Sequence, residues 1–69
     1  MSGYIKLKSV DGHFEAGIGF DCVGDIVEDL MNMHEILDED EARRFARRIL
    51  KGEKITIENN TYELGYCNE

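Results

Sequence analysis

Apolar and polar residues alternate at both ends of this chain and follow a helical period in its middle. Near the start, Ile5, Leu7, Ala16 and Ile18 occupy every second position on two runs that flank Asp11-Gly12. Asp-Gly is a preferred centre for a type I′ turn, in which both central residues take positive φ. Counting outward from it sets Leu7 opposite Ala16, Ile5 opposite Ile18 and Ser9 opposite Phe14 on one face. The other face pairs Lys8 with Glu15, an opposite-charge contact, and Tyr4 with Gly19, where an aromatic ring can cover the gap a glycine leaves. A slip of one residue would turn the apolar set to water, so the pattern specifies the register.

A second hairpin is expected around Asn59-Asn60, because asparagine tolerates left-handed backbone. It pairs Ile57 with Tyr62 and Ile55 with Leu64 on one face, and Thr56 with Glu63 and Lys54 with Gly65 on the other. Between the hairpins lie two helical patterns. Val23, Ile26, Val27, Leu30, Met33, His34 and Leu37 form one stripe at 100° per residue, with Asp25, Glu28, Asp29, Asn32 and Glu35 opposite and Asp21 as N-cap. Ala42, Phe45, Ala46, Ile49 and Leu50 form a second stripe, which begins at an Asp38/Glu41 variant of the capping box and stops at Gly52. No proline or glycine separates the two, so one bent helix is the rival reading; the Asp38 cap favours two. The expected fold class is α+β in the order ββααββ: a four-stranded antiparallel sheet of two hairpins with two helices packed on one face, as a single domain over residues 1–69.

Sixty-nine residues exclude a multidomain enzyme or a repeat array. No apolar run reaches the roughly 18–20 residues of a spanning helix. The start lacks a basic patch followed by an apolar stretch, so the reading is cytoplasmic, with Cys22 and Cys67 reduced. A core this small supplies only about 3–5 kcal/mol of net stability, and without a disulfide or an evident metal, self-association is the expected support. A homodimer follows as an expectation.

Charge changes the picture more than composition does. Eight basic against fifteen acidic side chains give a net charge of −7. Residues 21–41 hold nine acids and no base, while Arg43, Arg44, Arg47, Arg48 and Lys51 follow with no acid among them. On a helix those five bases span an arc of about 140° opposite the apolar stripe. The plain reading is two solvated amphipathic faces that partly neutralise each other through i,i+4 pairs, each worth only a few tenths of a kcal/mol. That reading leaves Arg43/Arg47 and Arg44/Arg48 as unexplained like-charge neighbours.

Most chemistry fails on spacing. His34-Glu35-Ile36-Leu37-Asp38 starts like a zinc-protease helix, but Asp38 stands where the second histidine belongs, and His34 lies on the apolar stripe. His13, Cys22, His34 and Cys67 are scattered over three elements without the close pairs of a zinc site. Gly17, Gly19 and Gly24 do not fit a dinucleotide fingerprint, and no Gly-Lys-Ser/Thr follows; a bend, or close approach of another backbone or a small ligand, accounts for Gly17 and Gly19. Asn59-Asn60-Thr61 formally matches a glycosylation acceptor and reads as a turn. The serines, Ser2 and Ser9, have no histidine placed beside them by any motif, and a chain this short has little volume for a catalytic cleft. No enzyme activity, metal or cofactor is expected.

The function expected from sequence is therefore a small acidic protein-binding module, an inhibitor or adaptor acting on a basic or nucleic-acid-handling protein. Its acidic face could stand in for a phosphate backbone, as in phage or mobile-element inhibitors of host defence enzymes, an analogy of size and charge. The partner-facing candidates are Asp25, Glu28, Asp29, Glu35, Asp38 and Glu39, with Tyr4, Met31, Ile36 and Tyr66 as an apolar interface. One alternative is direct nucleic-acid binding by Arg43, Arg44, Arg47, Arg48 and Lys51. Another is a homo-oligomer that holds a small ligand near Gly17 and Gly19.

Overall fold

A computed structural model describes residues 1–68 of the chain. Strands β1 (Ser2–Ser9) and β2 (Glu15–Phe20) precede helices α1 (Val23–Met33) and α2 (Glu39–Leu50), and strands β3 (Ile55–Ile57) and β4 (Asn60–Asn68) close the chain. The expected ββααββ order and single antiparallel sheet are present, with strands side by side as β2-β1-β4-β3. The two hairpins join through β1 and β4, the first and last strands of the chain.

The first hairpin has the expected register, with Tyr4 opposite Gly19, Ile5 opposite Ile18, Leu7 opposite Ala16 and Lys8 opposite Glu15. Its turn differs. Gly12 takes positive φ (79°) but Asp11 does not, because the Asp11 carboxylate accepts from the Ser9 hydroxyl at 2.8 Å and the His13 amide at 3.0 Å. The amide of Gly12 closes onto the Ser9 carbonyl, and that of Phe14 onto the Ser9 hydroxyl rather than its carbonyl. This wider loop leaves Phe14 exposed rather than on the apolar face.

The second hairpin turns at Glu58-Asn59, so Ile55 faces Tyr62 and Ile57 faces Asn60. That is two residues from the asparagine-centred register. The shift preserves face, so Ile55, Ile57, Tyr62 and Leu64 still look the same way. Asn60 is instead used as a strand residue opposite Ser9, and the Val10 amide donates to the Asn59 carbonyl at 2.8 Å. Long-range pairing with β1 thus overrides the local preference of asparagine for left-handed backbone. It falls to Glu58 to take that conformation, at φ 53°.

β1 and β4 pair with a bulge between Tyr4 and Ile5 that leaves Gly65 without an opposite residue. Beyond it the faces of β4 swap: Tyr66 lies opposite Tyr4 on the outer face, and Cys67 turns inward against the core. A Cβ on Gly65 would overlap the Tyr4 ring, which would then have to swing away. Tyr4 therefore covers Gly65; above Gly19, its register partner, a Cβ would meet nothing within 4 Å.

The helices cover one face of the sheet. Ile5, Leu7, Phe20, Ile55, Ile57 and Tyr62 from the strands meet Ile26, Val27, Leu30, Leu37, Ala42, Ala46 and Ile49. The alanines let α2 approach closely, and both are fully buried. α2 starts as expected, the Asp38 carboxylate accepting from the Glu41 amide at 2.8 Å. It ends in a Schellman closure at Gly52 (φ 95°), with Gly52 bonded to Ile49 and Glu53 to Arg48. α1 begins one residue later than expected. Cys22 is its N-cap and makes no side-chain bond; the Asp25 carboxylate instead reaches back to the Asp21 amide at 2.8 Å. Met33, the last residue of α1, is exposed rather than in the core. No helix among the described residues is long and apolar enough to cross a membrane.

Candidate partner-binding surface

Two helices packed on one side of a sheet must turn their charged faces outward, and here the outer faces carry opposite signs. Along α1, the segment after it and the first turn of α2, Glu28, Glu35, Asp38, Glu39 and Asp40 are exposed, and Asp25 and Asp29 are half-buried. Two of these acids are committed to helix ends: Asp38 caps α2 and Asp25 closes the start of α1. One makes an ion pair, Glu39 with Arg43 at 3.8 Å. The remainder face water without a cation beside them among the described residues. Asp29 records the crowding: its carboxyl is held above the usual carboxylate range, first by desolvation and then by repulsion from Asp25 and Glu28.

Bare apolar side chains lie among these acids. Met31 is 36% exposed, Met33 42% and Ile36 72%. Met31 shares an open groove between the helices with Glu28, Asn32, Glu39, Arg43 and Val27. Acids from both helices therefore rim a depression that has a methionine on its wall and a valine beside it. The other two residues expected at an apolar interface lie elsewhere. Tyr4 and Tyr66 are neighbours on the outer face of the sheet, opposite the helices, 42% and 56% exposed.

The basic stripe of α2 is exposed at Arg44, Arg47, Arg48 and Lys51 and half-buried at Arg43. Glu39 pairs with Arg43, and Glu53 with Arg48 at 3.2 Å. Arg44, Arg47 and Lys51 have no carboxylate within 4.0 Å among the described residues. Of the two i,i+4 pairs that the spacing allows at the start of α2, Glu39 with Arg43 and Asp40 with Arg44, only the first forms among the described residues.

The four metal-type side chains are not brought together. His13 sits in the first turn, Cys22 caps α1, and Cys67 lies in β4. His34 is 2% exposed with both ring nitrogens engaged, Nδ1 by the Glu58 carboxylate at 2.9 Å and Nε2 by the Tyr62 hydroxyl at 2.6 Å. Among the described residues no group of three His, Cys, Asp or Glu could hold a metal ion. The apolar stripe marked His34 as inward-facing, but its partners lie 24 and 28 residues away and leave no local signal.

Compared with protein-family models, characterised proteins and solved structures, the chain matches none.

Proposed function

We propose that this protein acts by stoichiometric binding, and that its acidic helical surface docks a basic protein of the nucleic-acid-handling kind. The observation that carries this reading is the coincidence of acids with exposed Met31 at the groove between α1 and α2, where Glu28 has no cation beside it among the described residues and Glu39 is paired with Arg43. Glu28 and Glu39 rim it and Met31 lines it. Interfaces need a desolvated apolar centre as well as complementary charge, since rim charge steers encounter while buried apolar area holds the complex.

Direct nucleic-acid binding by α2 is the weaker reading. Two of its five cations are engaged by Glu39 and Glu53. The rest sit on a chain of net charge −7, which opposes a polyanion at long range.

The deciding experiment is capture of partners from cells that express the protein, with nuclease-treated and untreated samples compared. Wild type and an Arg44→Glu/Arg47→Glu variant should retain the same nuclease-insensitive protein, and Glu28→Lys/Glu39→Lys/Met31→Ala should lose it. Loss with the arginine variant alone, or a nuclease-sensitive signal, would transfer the function to the basic stripe.

A further inference from the structure

The two edges of the sheet are unlike. β3 is three residues long, too short to template much pairing, whereas β2 offers six residues with no proline, no lysine and one charge, Glu15. Edges of this second kind are the ones that pair with another strand unless something guards them. The direction of the free groups follows from the ladder. The Ser9 amide donates to the Phe14 carbonyl. Alternation along the antiparallel pair then points the N–H and C=O of Ala16, Ile18 and Phe20 at β1, and those of Glu15, Gly17 and Gly19 outward.

Gly17 and Gly19 have no purpose within one copy. Neither takes positive φ. A Cβ on Gly19 would meet nothing within 4 Å, and on Gly17 only a Tyr4 ring carbon at 3.9 Å, an ordinary contact. Glycine inside a strand costs about 0.5–1 kcal/mol relative to alanine. Gly17 and Gly19 leave the outer face of the β2 edge bare of side chains at two of its six positions.

We propose that β2 pairs with β2 of a second copy, antiparallel about a two-fold axis through Gly17, to make a continuous eight-stranded sheet. Side chains directly opposite each other share a face, so Ala16 and Ile18, on the helix side, must meet helix-side residues. Two central registers satisfy this. One centred on Ile18 sets Glu15 opposite Asp21 twice, a like-charge clash in a chain already at −7. The one centred on Gly17 sets Glu15 opposite Gly19, Gly17 opposite Gly17 and Ala16 opposite Ile18. In it the outward N–H and C=O of Glu15, Gly17 and Gly19 all find partners. Ala16 and Ile18, both half-buried in one copy, cover each other across the seam. The strand thus pairs with a copy of itself without a charge clash and with its outward hydrogen-bonding groups satisfied, which selects a second copy as its occupant. The acidic surface of α1 stays free, so this pairing and the partner reading stand or fall separately.

Sedimentation velocity over a wide concentration series, on wild type, Gly17→Pro and Gly17→Ala, tests the proposal. Proline removes the central outward N–H, and an edge position whose amide faces solvent tolerates it; alanine keeps the amide. Wild type and Gly17→Ala should show a concentration-dependent dimer, weakened at least tenfold in Gly17→Pro, whose folding is checked by circular dichroism. Amide exchange on wild type provides the second measurement, with the Gly17 and Gly19 amides slowing as concentration rises. A wild type that stays monomeric throughout, a folded Gly17→Pro that dimerises as tightly as wild type, or outward amides indifferent to concentration would each overturn it.

Discussion

Nε2 of His34 lies 2.6 Å from the Tyr62 hydroxyl, and the two rings meet edge-on with centroids 5.7 Å apart. The contact ties the C-cap of α1 to β4, joining the helical layer to the sheet through a polar bond within the core. A carboxylate can only accept, so Nδ1–H donates to Glu58. Burial first, with Glu58 and Asp29 adding repulsion, holds the Tyr62 phenol above its ordinary value of 10.0, against the lowering effect of a bond to Asn60. A raised phenol binds its proton more tightly when folded, so its contribution is intact below that ordinary value and is lost as pH climbs through the raised one. Tyr62→Phe should cost about 1–3 kcal/mol at neutral pH by leaving Nε2 unpaired, read by urea denaturation. Wild type should also lose stability in strong alkali more steeply than the variant does.

Glu58 performs two tasks that conflict. Its carboxylate bonds His34 at 2.9 Å, and its backbone sits at φ 53°, where a side chain is disfavoured. Ala and Gly both delete the carboxylate, but only Gly accepts that φ freely. Glu58→Gly should therefore be more stable than Glu58→Ala by about 1 kcal/mol. Thermal melts resolve this readily, since 1 kcal/mol moves Tm by roughly 4–8 °C in a domain of this size. Equal melting points would mean the turn relaxes to another geometry once the carboxylate is gone.

What could be read from the sequence follows the range of the forces involved. The pairing of Ile5 with Ile18 and Leu7 with Ala16 was legible because strict alternation and a nearby turn both specify it. The Asp38 cap and the Gly52 stop were legible because each acts within one helical turn. The Glu58-Asn59 turn was not, since Asn59-Asn60 is the better local choice and only the pairing of Asn60 with Ser9 across the sheet overrules it. The bulge at Gly65 was hidden for the same reason: it exists only once β4 lies beside β1. For the candidate surface, the sign and position of the acids were plain from helical spacing. The separation of Tyr4 and Tyr66 from Met31 and Ile36 was not, because it depends on which face of the sheet the helices cover.

Gly3 and Gly19 make a matched contrast. A Cβ on Gly3 would overlap the Tyr66 carbonyl oxygen, a backbone atom that cannot swing away, whereas on Gly19 it enters open space. Gly3→Ala should loosen the β1–β4 junction and destabilise by about 1–3 kcal/mol, the range for overpacking. Gly19→Ala should stabilise by roughly 0.5–1 kcal/mol through the unfolded chain. Chemical denaturation at one fixed protein concentration compares them, and a destabilising Gly19→Ala would point to an occupied space above that residue.

Asp29 should make the protein less stable as pH rises through the acid range. Its carboxyl is held above the ordinary carboxylate range, through desolvation and then the charges of Asp25 and Glu28. In that window the folded chain holds more protons than the unfolded one, so stability falls with pH, the reverse of a carboxylate held by a cation. Asp11 runs the other way. The His13 amide and the Ser9 hydroxyl lower it, so its contribution is present above the ordinary carboxylate range and disappears on acidification. Asp29→Asn isolates the first effect. It should melt higher than wild type at neutral pH, by an amount that shrinks in added salt as the repulsion is screened, and the difference should close below the ordinary carboxylate range. A gain that persists unchanged in acid would assign it to packing on α1 and not to charge.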